Sequence, residues 1–176
     1  MTDQELAEGC RKELRKFQEV LYHRFSGKMM AVCLRYCQNR EDAEDALMET
    51  FMKVFDHIGS FNHQGSLEGW VRRIAVNTSI NKIRSRKATQ TLDEVLHEQE
   101  VSDSVLDNME TETLLMLISK LPDGYRLVFN LHVIEDLSHR EIADMLRIEE
   151  ASSRSQLSKA RKCLQKLVQK HMEVKQ

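Results

Sequence analysis

Between Leu137 and Leu167 the chain reads LSHREIADMLRIEEASSRSQLSKARKCLQKL, two short helical patterns joined by a tight turn, the second one basic. Ser138 is a good helix N-cap, and Glu141 three residues later completes a capping box, in which each side chain satisfies a backbone N–H at the helix start. Ile142, Ala143 and Leu146 give the first helix an apolar face. Ile148 falls in the turn, where it can plug the angle between the helices. Leu157, Ala160, Leu164 and Leu167 then repeat at three and four residues, while Arg154, Ser155, Ser158, Lys159 and Lys162 fall on other faces. From Ala151 to Met172 there are six Lys or Arg and no Asp or Glu. A merely solvated helix usually mixes signs. The pattern is that of a helix-turn-helix whose second helix enters a DNA major groove.

The rest of the chain extends this theme. One Pro and six Gly in 176 residues leave few helix breakers, and the many Leu, Glu, Lys, Arg and Met favour helix. The formal net charge of −2 hides a strong alternation. Trp70 to Lys87 holds six bases and no acid, Thr91 to Glu112 eight acids and no base, and Ala151 to Met172 is again +6. Two separate segments are therefore candidates to face a polyanion. The N-terminal MTDQELAEGCRKELRKF lacks the apolar core of a signal peptide, and the longest apolar run, Leu114 to Ile118, is too short to span a bilayer. We expect a cytoplasmic chain with no membrane insertion and with Cys10, Cys33, Cys37 and Cys163 as reduced thiols. Cys33 and Cys37 lie four apart on a helical pattern, but no second close pair of Cys or His completes a metal site.

In chain order, residues 4 to 23 and about 26 to 37 read as two helices. Asn39 is placed to cap a third, with Glu41 and Asp42 suiting its positive end. Ala43, Ala46, Leu47, Thr50, Phe51, Val54, Phe55 and Ile58 form a regular buried stripe. The opposite face carries Glu41, Glu44, Asp45, Met48, Glu49, Met52 and Lys53. Exposed Met among acids marks either a partner surface or a solvated face with incidental Met. The carboxylates also invite an enzyme reading. A helical di-metal site usually recruits Glu-x-x-His pairs, however, and Glu19 with His23 is one residue too long. No catalytic residue, metal or cofactor is therefore expected.

Phe55 to Gly69 reads as a loop with an exposed-looking Phe61, which either closes a core or stacks on an unpaired base. Ser66 caps the helix Leu67 to Lys87. Trp70, Val71, Ile74, Ala75 and Thr78 form one apolar arc, and Val76, Ile80 and Ile83 a second. Between them runs a polar stripe of Arg73, Asn77 and Arg84, with Asn81 beside it. Arg binds phosphate and Asn can bond base edges. Residues 88 to 110, acidic and sparse in apolar side chains, form the best domain boundary, a flexible linker whose charge can rest on a basic helix when DNA is absent. Glu112 to Lys120 is a strongly apolar helix, and Pro122 starts another. The fold expected is all-α: two small helical domains joined by a flexible acidic linker, the second containing the helix-turn-helix.

These segments in combination resemble the extracytoplasmic-function sigma factors, the small group of the sigma-70 family, over about Leu21 to Leu167. NREDAEDALMETFMKVF is similar to their polymerase-binding helix. SLEGWVRRIAVNTSINKIRSRK is similar to the helix that melts and reads the minus-ten element. LPDGYRLVFNLHVIEDLSHREIADML with SSRSQLSKARKCL is similar to the minus-thirty-five reader.

The resemblance implies a non-catalytic subunit that binds core RNA polymerase and promoter DNA; the free chain is expected to be a monomer. Many relatives are held by an anti-sigma factor. It divides the chain into 1–88 (region 2), 89–110 (acidic linker) and 111–172 (region 4). It assigns Glu44, Asp45, Met48, Glu49 and Met52 to polymerase; Phe61, Asn62, Arg73, Asn77, Asn81 and Arg84 to the minus-ten strand; and Ser152, Arg154, Ser155, Ser158, Lys159, Arg161 and Lys162 to the minus-thirty-five element. The chain departs from the family at Met48, usually Gln; at Asn81, usually Asp; at Arg147, usually a turn Gly; and at Glu149, usually a capping Ser or Thr. A stand-alone regulator would normally dimerise over paired half-sites, and no spare apolar helix is visible for that.

Overall fold

The computed structural model describes residues 1–37, 39–87 and 111–174, and these fold into helices, with no strand among the described residues. The chain divides into two units, Met1–Gln90 and Thr91–Gln176. The segment 88–110, and with it the expected acidic linker, lies outside the described residues.

The first unit contains α1 (Asp3–Arg11), α2 (Arg15–Tyr36), α3 (Arg40–His57) and α4 (Leu67–Lys87). Thr2 and Glu5 close a capping box at the start of α1. The helix expected over 4 to 23 is in fact broken. Glu13 adopts a left-handed conformation (φ 54°). Its N–H donates to the Cys10 carbonyl (2.9 Å) and the Leu14 N–H to that of Gly9 (3.1 Å). That pair of bonds is a Schellman stop, and it satisfies carbonyls that a helix end otherwise leaves free. The chain then folds back so that the Phe17 ring lies on Gly9, where an added Cβ would come within 2.1 Å of it.

The second expected helix, about 26 to 37, is continuous with the end of the first as α2. Gly27 is accommodated in open space, at about 1 kcal/mol relative to Ala. Leu21, Phe25, Met29, Val32, Cys33 and Tyr36 line the buried side of α2.

Asn39 caps α3 by accepting from the Asp42 N–H at 2.7 Å. Ala43, Ala46, Leu47, Thr50, Phe51 and Val54 are buried. Helices α2, α3 and α4 pack pairwise, with α1 against α2. Two buried hydroxyls bond one turn back, Thr50 to the Ala46 carbonyl (2.6 Å) and Ser79 to that of Ala75 (2.9 Å), so neither is stranded in the core.

The second unit contains α5 (Thr111–Ser119), α6 (Asp123–Phe129), α7 (His139–Leu146) and α8 (Glu150–Val174). Helix α6 widens into a π turn at Asn130–Ile134. Arg126 is 2% exposed. Its guanidinium donates to the Leu121 carbonyl (3.0 Å) and to Asp123 Oδ1 (2.6 Å), tying the α5–α6 corner. A buried Arg is tolerable when paired and hydrogen-bonded in this way. Leu157, Ala160, Leu164 and Val168 form the buried stripe of α8, against which α5, α6 and α7 pack.

Candidate nucleic-acid interface

The outer face of α3 follows from its inner one. With the stripe from Ala43 to Val54 turned inward, Glu44, Asp45, Met48, Glu49 and Met52 are all exposed. Met48 and Met52 are 68% and 65% exposed, one turn apart. The acids around them are paired: Glu44 with Arg40 (2.7 Å), Glu49 with Lys53 (2.6 Å) and Asp45 with Lys82 of α4 (2.6 Å). The face therefore presents two thioethers framed by ion pairs.

Helix α4 starts where Ser66 Oγ accepts from the Gly69 N–H at 3.0 Å. Both apolar arcs are engaged. Val71, Ala75 and Thr78 are buried on one, Val76, Ile80 and Ile83 on the other, while Trp70 and Ile74 are half-buried. Arg73, Asn77 and Asn81 remain exposed and Arg84 is half-buried. From Arg73 to Arg84 the stripe extends about 16 Å along the helix.

The segment before α4 differs from its expected form. Helix α3 runs to His57 and is followed by a 3₁₀ turn at Ile58–Ser60. Phe61 is not exposed: it is 2% exposed and its ring centroid lies 5.7 Å from that of Trp70 and 4.8 Å from that of His63. Of the two alternatives for this aromatic, the core-closing one describes the structure. The polar neighbours Asn62, His63 and Gln64 are outside. Asn62 Oδ1 accepts from the Gln64 N–H (3.2 Å), and His63 takes a left-handed φ of 60°.

In the second unit the capping box is formed as the sequence predicts. Glu141 accepts from the Ser138 N–H (2.8 Å) and Ser138 Oγ from the Glu141 N–H (3.3 Å). Arg147 ends α7 in the left-handed region (φ 54°, ψ 48°), the conformation for which Gly is favoured. The Ile148 N–H returns to the Ala143 carbonyl (3.0 Å). Glu149 occupies the cap position of α8, with its carbonyl accepting from the Ser153 N–H (3.1 Å). Arg154, Ser155, Ser158, Lys159 and Arg161 are exposed, and Ser152 and Lys162 half-buried. Arg154 is ion-paired with Glu150 one turn earlier.

Ser153, His139 and His132 form a cluster that no sequence motif announces. Ser153 is buried and lies 2.9 Å from His139 Nδ1. The His139 ring stacks on His132 (centroids 4.5 Å apart, planes 13°), and His132 Nδ1 lies 2.9 Å from the Leu137 carbonyl. Extending the α8 stripe one turn back from Leu157 reaches Ser153; nothing local in the sequence marks the histidines. Burial lowers the His139 pKa below its ordinary value, and the neighbouring His132, Arg154 and Arg161 act the same way against an opposing Glu150. Burial pushes the Cys10 and Cys37 thiols up to about 11 and also raises Cys33. The thiols of the first unit are thus packing groups and poor nucleophiles.

Comparison with known proteins bears on both units. A family model described as Sigma-70 region 2 matches residues 21–89, and one described as Sigma-70, region 4 matches residues 111–164. The ECF RNA polymerase sigma factor SigW of Bacillus subtilis (strain 168) is 31% identical over 156 residues, covering 81% of this chain and 83% of the relative. SigM of the same organism, also described as an ECF RNA polymerase sigma factor, is 30% identical over 151 residues, 84% and 92% of the two chains. Among solved structures, the sigma factor RpoE in complex with the anti-sigma factor NepR from Bartonella quintana has a similar fold (TM-score 0.53, 19% identity, 86% of this chain and 96% of that one).

Proposed function

Because the chain belongs to the extracytoplasmic-function group of the sigma-70 family, we propose that its two units divide promoter recognition between them. The protein is a sigma factor, which directs RNA polymerase to promoters. It acts by binding and not by catalysis, and its place of action is the cytoplasm. Residues 1–88 form the region 2 domain, 89–110 an acidic linker and 111–172 the region 4 domain. On the first unit, Met48 and Met52 are the polymerase-docking centre. Glu44, Asp45 and Glu49 form its rim, where ion pairs exchange partners at little net gain or loss. Arg73, Asn77, Asn81 and Arg84 contact the opened minus-ten strand. Asn62 and its exposed neighbours hold an unpaired base over Phe61, which anchors the loop from inside. On the second unit, Ser152, Arg154, Ser155, Ser158 and Lys159 meet bases and phosphates of the minus-thirty-five element, and Arg161 and Lys162 add backbone contacts. An anti-sigma partner, as in the RpoE complex, would bind this chain in competition with polymerase.

The observation that carries this reading is α4, engaged on two apolar arcs yet presenting Arg73, Asn77 and Asn81 outward in one line. Nothing in the core requires an amide there. Its companion on α3 gives the test. Changing both Met48 and Met52 to Lys should abolish co-purification with core polymerase while leaving duplex binding by the full chain unchanged. Equal polymerase affinity would refute the docking face.

A further inference from the structure

The loop between α3 and α4 is held at both ends by the same short helix. At its entry, the Arg11 guanidinium donates through Nη2 to the Phe61 carbonyl and through Nε to that of Ile58 (3.5 Å). At its exit, Asp3 Oδ2 accepts from the backbone N–H of Leu67 (3.0 Å), the first residue of α4. An N–H at that position has no partner within its own helix, so Asp3 supplies one from 64 residues away. The other Asp3 oxygen is ion-paired with Arg24 of α2 (3.0 Å), which fixes the carboxylate. Helix α1 is itself seated through buried Leu6, Ala7 and Cys10.

We propose that Arg11 and Asp3 are positioning residues for promoter opening: through these bonds α1 holds the 58–66 loop in the shape that receives the minus-ten strand. This rests on the minus-ten assignment of that loop given above. The physical case is one of preorganisation. The loop contains a left-handed His63 (φ 60°) and a left-handed Gly65 (φ 99°), and its central Asn62, His63 and Gln64 are exposed. Left to itself such a segment samples many shapes, and binding a nucleotide would have to order it. Two charge-assisted bonds at one end and one at the other remove most of that freedom beforehand. Phe61, buried beside Trp70, seats the entry of the loop against α4. No side chain of α1 needs to touch DNA for this to work.

Trp70 is the one tryptophan in the sequence and lies against Phe61, so its emission reports the loop directly. The test uses the full chain and its complex with core polymerase, comparing Arg11→Ala, Arg11→Lys and Asp3→Ala. In Arg11→Ala the Trp70 emission should shift red and amide exchange across residues 59–66 should rise. Affinity of the polymerase complex for a single-stranded minus-ten oligonucleotide should fall at least about tenfold, since both bonds from the charged Arg11 are lost. Affinity for core polymerase and for a minus-thirty-five duplex should not change. Arg11→Lys should recover part of the strand affinity, since an ammonium can still reach one carbonyl. Asp3→Ala should give the same strand-specific loss from the other end of the loop.

An unchanged loop in both Arg11→Ala and Asp3→Ala overturns the proposal, as does a parallel loss of core polymerase affinity, which would make the role merely structural. A freed loop with undiminished strand affinity also overturns it and removes the 58–66 loop from the minus-ten surface. The assignments on α3 and α8 would stand.

Discussion

His139 Nδ1, at the start of α7, lies 2.9 Å from the buried hydroxyl of Ser153 in the first turn of α8. One bond thus links the two helices of the helix-turn-helix at the end where Ser152, Arg154 and Ser155 lie. The stacked His132 holds the imidazole from its other face.

This contact has a pH dependence of definite sign. The folded pKa of His139 lies below 6.5, chiefly through burial, so the unfolded chain takes up its proton first as the pH falls. The stability from neutral His139 is complete above about pH 6.5 and is lost as the pH falls through the folded value. Thermal unfolding followed from pH 8 to pH 5 should show the second unit weakening on the acid side. His139→Gln should flatten that part of the profile. Identical profiles for the two proteins would remove His139 as the source.

Arg147 should be replaceable with gain. It occupies a left-handed position, as do Glu13 and Asp136 at other helix ends. A β-carbon there costs roughly 1 kcal/mol. Arg147→Gly and Glu13→Gly should each stabilise by about that amount. Asp136→Gly should gain less, because Asp tolerates the conformation. Denaturant midpoints should move upward with unchanged slope; equal or lower midpoints would count against the strain.

Arg154 should contact phosphate at the expense of its bond to Glu150. Arg154→Ala should weaken duplex binding and reduce the salt slope by about 0.9. Glu150→Gln releases the guanidinium and should tighten binding. The pair is exposed on both sides, so protein stability should change by less than about 1 kcal/mol. An unaltered salt slope in Arg154→Ala would strike it from the phosphate contacts.

The sequence carried the elements whose signals are local. Asn39, Ser66 and Ser138 each cap the helix they announce, because capping depends on residues three apart. The α4 wheel separated its buried arcs from Arg73, Asn77 and Asn81 because that helix packs on two sides at helical period. What was not legible depends on distant partners. The break at Glu13 has no Gly to mark it, and the Phe17 ring that fills the corner is recognisable only against Gly9. Phe61 looks exposed among polar neighbours until Trp70 is placed beside it. Nothing local marks Arg126 as buried, because the Leu121 and Ser119 carbonyls that accept from its guanidinium come together only in the folded corner. Ser153 looks like one more polar residue in a basic helix until His139 arrives from α7.

As a sigma factor, this chain converts core RNA polymerase into a promoter-selective enzyme. Run-off transcription with purified core polymerase on a randomised promoter library tests it most directly, comparing the protein with its Met48→Lys/Met52→Lys and Asn77→Ala/Asn81→Ala variants. The unaltered protein should give discrete transcripts from a restricted promoter set. The α3 variant should give none. With the α4 variant, polymerase should still be bound but promoters should stay closed. No stimulation by the unaltered protein on any promoter, or full activity in the α3 variant, would contradict it.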